Sequence, residues 1–122
     1  MSSRIVELSM VLRELDQRCG LFGSALVNEK GQLMSSSLPQ GVDERAISAM
    51  AASMLSISRR VSEELGCGEP QSIVLEGQRK LIVMTLVSNL VLVGMARVDA
   101  EVSLIGFEMD EAAARVRLVL GA

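Results

Sequence analysis

The sequence predicts an α+β fold: one antiparallel sheet of five strands with helices on both faces. Three observations carry this. Hydrophobic periodicity changes along the chain in the order helix, strand, strand, helix, strand, strand, strand, helix, which is neither the alternation of a doubly wound sheet nor an all-β pattern. The stretch 81-LIVMTLVSNLVLVGMA-96 carries no charge but is broken by Ser88-Asn89, so it reads as two strands, residues 80–87 and 90–98, joined by a tight turn. Leu81, Val83, Thr85 and Val87 fall on one side of the first of these strands and Ile82, Met84 and Leu86 on the other. With no solvent face left, both sides must be covered. A membrane span is excluded by length, because roughly 20 apolar residues are needed and the run stops at Lys80 and Arg97.

Each element has its own signal. Ser3 can cap a first helix with the stripe Ile5, Leu8, Leu12, Leu15 and Cys19, ending at Gly20. Segments 21–28 and 32–37 flank Glu29-Lys30-Gly31, where Gly31 supplies the positive φ that a hairpin turn requires. After a loop at 38–41, Asp43 caps a long helix to about residue 65, with Ile47, Met50, Met54, Ile57 or Ser58, Val61 and Leu65 as its expected buried stripe. Gly66-Cys67-Gly68-Glu69-Pro70 stops it. Residues 71–76 open a three-strand meander, turning at Gly77-Gln78-Arg79 into the two apolar strands. A last helix spans 99–120, with Val102, Ile105, Met109, Ala112, Val116 and Val119 in register. Gly106 within it costs up to about 1 kcal/mol against alanine, so a close neighbour is expected there.

At 122 residues the chain is expected to be one domain, residues 1–122, with a core of useful size. A formal charge of −3 and only Phe22 and Phe107 as aromatics give neither a basic field nor stacking groups for nucleic acid. The start of the chain lacks a charged leader with an apolar core, which predicts a cytoplasmic protein. Cys19 and Cys67 match no metal or redox spacing and read as reduced thiols. The chain has no histidine, no G-x-x-x-x-G-K-[ST] and no G-x-G-x-x-G after a strand. An imidazole base, a Ser-His-Asp relay and the recognised nucleotide loops are therefore absent. The acidic pairs Glu63-Glu64 and Asp110-Glu111 read as solvated helix positions. No catalytic residue, no cofactor and no metal is expected: the sequence describes a binding module rather than an enzyme.

Its surface is legible in outline. Strand 71–76 opens the meander and is expected outermost, where unpaired backbone groups seek a partner, including a second copy of the chain. On the second helix Ala46, Ala49, Ser53 and Ser56 form a small-residue strip beside Met50 and Met54. Either another helix approaches this strip or it packs on the sheet. Arg45, Arg59, Arg60 and Glu63 give the same helix a charged outer face.

The run 25-ALVNEKGQLMSSSLPQGVDERAISAMAASMLSISRRVSEELG-66, followed by the apolar meander, Asp99-Ala100, 104-LIG-106 and a final helix, resembles the Roadblock family, which includes dynein light chains and bacterial and archaeal homologues. The resemblance covers nearly the whole chain in element order. It implies that the second helix covers one sheet face and the first and last helices the other. It also implies a homodimer in which the third strands and second helices meet, placing Gln71, Ser72, Ile73, Val74, Leu75 and Glu76 with Ala49, Ser53 and Ser56 at the interface. Members of this type commonly serve as platforms or regulators of Ras-like small GTPases, while others link dynein cargo. The GTPase would be met by the second helix, here through Arg45, Met50, Met54, Arg59, Arg60 and Glu63. A scaffold subunit in a larger motor or filament assembly, without a GTPase, is the rival reading.

Overall fold

The computed structural model describes residues 3–121. Met1, Ser2 and Ala122 lie outside the described residues. The chain runs α1 (Ser3–Cys19), β1 (Gly23–Asn28), β2 (Leu33–Ser36), α2 (Glu44–Leu65), β3 (Ser72–Glu76), β4 (Lys80–Val87), β5 (Leu90–Arg97) and α3 (Val102–Leu120). All neighbours in the sheet are antiparallel, in the order β2-β1-β5-β4-β3. The expected element order and sheet are therefore present. The apolar stretch 81–96 is a hairpin in which Val87 pairs with Leu90 and Ser88 takes a φ of 53°.

Two cores lie on the two sides of the sheet. Leu8, Val11, Leu12 and Leu15 of α1 and Ile105, Met109, Ala112, Ala113 and Val116 of α3 meet Leu26, Leu81, Val83, Leu92 and Ala96. Ala51 and Leu55 of α2 meet Val27, Met84, Val91 and Val93 on the other side. Each large aliphatic side chain buried here contributes about 1.5–3 kcal/mol. α1 and α3 run antiparallel, and Glu14–Arg115 and Arg18–Glu108 bridge their outer seam, the second at 3.8 Å. Exposed pairs of this kind add little to stability.

Several sequence expectations are corrected. Ile5 is exposed, and Val11 takes its place in the α1 stripe. α3 starts at Val102, since Asp99 is held in a bidentate pair with Arg97, and Val102 itself is exposed. Nothing lies within 4 Å of a Cβ built on Gly106. The close approach is on β5 instead, where Met109 Sδ and Leu21 Cδ1 would each stand 3.2 Å from a Cβ on Gly94.

A polar lock ties α1 to the β1–β2 edge. Ser24 and Ser37 donate their hydroxyls to the two carboxylate oxygens of Asp16, at 2.7 and 2.5 Å, and the Ser24 amide donates to Ser37 Oγ at 3.0 Å. Burial pushes the Asp16 carboxyl above its ordinary 3.8, while the Ser37 and Ser24 hydroxyls pull the other way. The native state then holds more protons than the unfolded chain between the two values, so stability falls as pH rises through that window. The contribution is complete below 3.8 and is lost as pH passes the folded value. Asp16→Asn removes this dependence. Thermal melts from acid to neutral pH should show the variant gaining on the wild type as pH rises, then running parallel to it; parallel curves throughout would contradict the assignment.

Candidate partner-binding surface

α2 is well bounded. Asp43 Oδ1 accepts from the Ala46 amide at 3.1 Å as the N-cap. Gly66 ends the helix in the left-handed region at φ 69°, and the Cys67 amide reaches Ser62 O at 2.8 Å. Its rotation about its own axis differs from the one expected from sequence. The residues against the sheet are Ser48, Ala51, Leu55 and Ser62, a narrow stripe in 3-4-7 steps. Met50, Val61 and Leu65, with Ile57 as one of two alternatives, were expected to be buried, yet Met50, Ile57, Val61 and Leu65 are 53%, 58%, 50% and 73% exposed. Ile47, Met54 and Ser58 are half-buried at the boundary. The reason is geometric: Ser48 Oγ donates to Glu44 O and its small side chain, with Ala51, lets the helix lie close to the sheet. The larger stripe is left on the flank.

Of the small residues, Ala49, Ser53 and Ser56 are exposed and Ala46 is half-buried, so this strip does not pack on the sheet. Arg45, Arg60 and Glu63 are exposed beside it. Arg59 leaves the outer face. Its Nη2 donates to Ser88 O at 2.7 Å and to Asn89 Oδ1 at 3.3 Å, and Glu69 stands 3.6 Å from Nε. It fastens the helix to the β4–β5 turn rather than presenting a free cation.

β3 is an edge strand, as expected. Leu86 N donates to Gln71 O and Gly77 N to Lys80 O, which fixes the alternation. Gln71, Ile73 and Leu75 turn their backbone groups toward β4, and Ser72, Val74 and Glu76 turn theirs outward. Ile73 pairs with Met84 and packs into the α2-side core, so Ile73 and Leu75 share that face and Val74 lies on the other. Val74 and Leu75 are 46% and 50% exposed. The opposite edge, β2, has four residues and an irregular register against β1, a feature that discourages further pairing.

Sequence reasoning therefore placed the edge strand on open surface and left the small-residue strip between sheet and solvent, and it missed Val61 and Leu65, with Ile57 as one of two alternatives, as surface residues. The signal that could have found them was the competing stripe Ser48, Ala51, Leu55, Ser62. Among the described residues, no group of His, Cys, Asp and Glu is arranged to hold a metal, and no helix is long and apolar enough to cross a membrane. Cys19 is half-buried and Cys67 exposed, both as free thiols.

Comparison with known proteins agrees with this architecture. An uncharacterised protein of Methanocaldococcus jannaschii is 28% identical over 110 residues, covering 90% of this chain and 96% of its own length. The solved structure of Myxococcus xanthus MglB superposes with a TM-score of 0.91 at 20% identity, covering 99% of this chain and 92% of that one. A Roadblock/LC7 domain from Streptomyces avermitilis gives a TM-score of 0.86 at 22% identity, with 95% and 99% covered. Residues 7–95 match the Roadblock/LC7 domain, and the chain belongs to that family.

Proposed function

We propose that this Roadblock/LC7 chain is a homodimeric, non-catalytic adaptor that binds a Ras-like small GTPase and modulates its nucleotide cycle. Two observations carry the reading: the exposed apolar residues Met50, Ile57, Val61 and Leu65 of α2, and the open edge of β3. An exposed apolar helix face and an unpaired edge strand are each features that favour self-association. An antiparallel pairing of β3 with its copy uses every outward backbone group when Val74 lies on the two-fold axis, with Ser72 opposite Glu76 of the second copy. The axis then stands perpendicular to the sheet, so both α2 helices share one face.

The GTPase reading rests on family membership and on the outer face of α2, where Arg45, Arg60 and Glu63 remain open around the small-residue strip. A chain without histidine has no imidazole base for hydrolysis of its own. Its effect would pass through a partner's residues. Because Arg59 holds Ser88, only Arg45 and Arg60 serve as contact probes.

The test is binding of the purified dimer to a Ras-like GTPase of the same cell, loaded either with GDP or with a non-hydrolysable GTP analogue. Preference for one nucleotide state is the expected result, with Arg45→Glu and Arg60→Glu together weakening the complex about 10-fold while the melting curve is unchanged. Equal recovery of large structural subunits in both states would replace the reading with that of a scaffold.

A further inference from the structure

α3 buries Ile105, Met109, Ala112, Ala113 and Val116, and its side turned away from the sheet carries Leu104, Phe107, Glu111, Ala114 and Leu118, all exposed. Their 3-4-3-4 spacing is that of a two-helix seam, yet Phe107 and Leu118 stand 60% and 80% exposed in the single chain. We propose that this seam binds α3 of a second copy, antiparallel, on the face of the sheet opposite α2 and apart from the edge of β3. Direction follows from the polar position at its centre. A parallel pair sets Glu111 against Glu111, two carboxylates in one layer. In the antiparallel pair Phe107 of one copy lies opposite Leu118 of the other, and Glu111 lies opposite Ala114, whose small side chain leaves the carboxylate a way out to water.

Charge names the occupant as a second copy of this helix. The outer surface of α3 is acidic in its first half, with Glu108, Asp110 and Glu111, and basic in its second, with Arg115 and Arg117. Reversing one copy lays each acidic half on a basic one. Asp110 comes beside Arg117 along one margin and Glu108 beside Arg115 along the other, each twice by symmetry. Glu108 and Arg115 are already held by Arg18 and Glu14 of α1, whereas no ion pair among the described residues engages Asp110 or Arg117. Shape agrees. Phe107 leans toward α1, lining a recess with Leu15 and Arg18. In the reversed copy its ring comes over the second recess of the same α1–α3 groove, about 260 Å³ between Met10, Val11, Leu118 and Val119. There an aromatic ring meets a thioether and aliphatic groups.

A seam of two heptads with a carboxylate at its centre is short, so a dissociation constant on the order of 100 μM is expected. Val74→Asp, which lacks the edge-strand contact proposed above, isolates it. Sedimentation equilibrium should find this variant monomeric at about 10 μM and associating toward about 1 mM. Phe107→Ser in the same background should raise the constant at least about 10-fold, and Glu111→Leu should lower it by about as much. Asp110→Arg and Arg117→Asp should each weaken the contact and together restore it. All four positions are exposed, so melting temperatures should hold. A chain that stays monomeric to about 1 mM even with Glu111→Leu would overturn the proposal. So would an association indifferent to Phe107→Ser and to the charge exchange. A wild type already monomeric at about 10 μM would sink the edge-strand dimer and not this contact, which the same series then reads in the wild-type background.

Discussion

If the chain forms the proposed homodimer, Val74→Asp is expected to convert it to a monomer without unfolding it. Val74 is 46% exposed in the single chain and its backbone amide and carbonyl face the open edge of β3, so a carboxylate there is solvated when the chain is alone. In the proposed paired sheet the two copies of residue 74 would be direct cross-strand neighbours about the axis. Two like charges then face each other at about 5.5 Å between Cα atoms, as at any hydrogen-bonded antiparallel pair. Desolvating them costs roughly 3 kcal/mol or more, about a 100-fold rise in Kd. Light scattering reads the mass and circular dichroism the fold. A dimer of unchanged mass would move the interface elsewhere on the chain. The companion change Ala49→Asp touches only the helix strip, and its smaller effect separates the strand contribution from the helix contribution.

Gly23→Ala should be among the most damaging single substitutions in the monomer. A Cβ on Gly23 would meet Ser37 O at 2.5 Å and Leu38 Cα at 2.9 Å, both of them backbone atoms, with Pro39 Cδ at 3.0 Å. No rotamer relieves a clash with main chain. The 37–39 segment would have to move, and with it Ser37, which donates to Asp16 and accepts from the Ser24 amide. The methyl group thus costs overpacking and the polar lock together, about 3 kcal/mol, or a fall of roughly 10 °C in Tm. Gly106→Ala is the opposite case. Nothing stands within 4 Å of the added Cβ, and the helix gains propensity of up to about 1 kcal/mol, so Tm should rise. If both variants melt together with the wild type, the packing described at the start of β1 is wrong.

Much of the fold was legible because its signals are local. The break at Ser88-Asn89, the Asp43 cap, the Gly66 stop and the Gly31 turn each depend on residues a few positions apart, and each is found where the sequence put it. The two-sided apolar character of β4 predicted burial on both faces, and Leu81 and Val83 indeed pack toward α1 and α3 while Met84 packs toward α2. The candidate surface was half legible. β3 was placed on the edge from its position in the meander, and Ala49, Ser53 and Ser56 were noticed as a strip, but whether that strip faced the sheet or solvent stayed open. Val61 and Leu65 were assigned to the core, and Ile57 was left as an alternative to Ser58.

By itself, then, the sequence determined the element order, the turns and caps, the antiparallel α+β class and the absence of histidine chemistry. Tertiary structure alone decided which stripe of α2 meets the sheet. Hydrophobic periodicity assumes that the most apolar face is the buried one, and that holds only when a helix has one surface to cover. Here the sheet accepts Ser48, Ala51, Leu55 and Ser62 because small side chains permit close approach, and the larger stripe remains on the flank. The lock of Asp16 with Ser24 and Ser37 was equally invisible, since it joins residues 8 and 21 positions apart through hydrogen bonds that leave no periodic trace. Arg59 was read as an outer charge, and only the position of the β4–β5 turn, 29 residues further on, gave it the Ser88 carbonyl to hold.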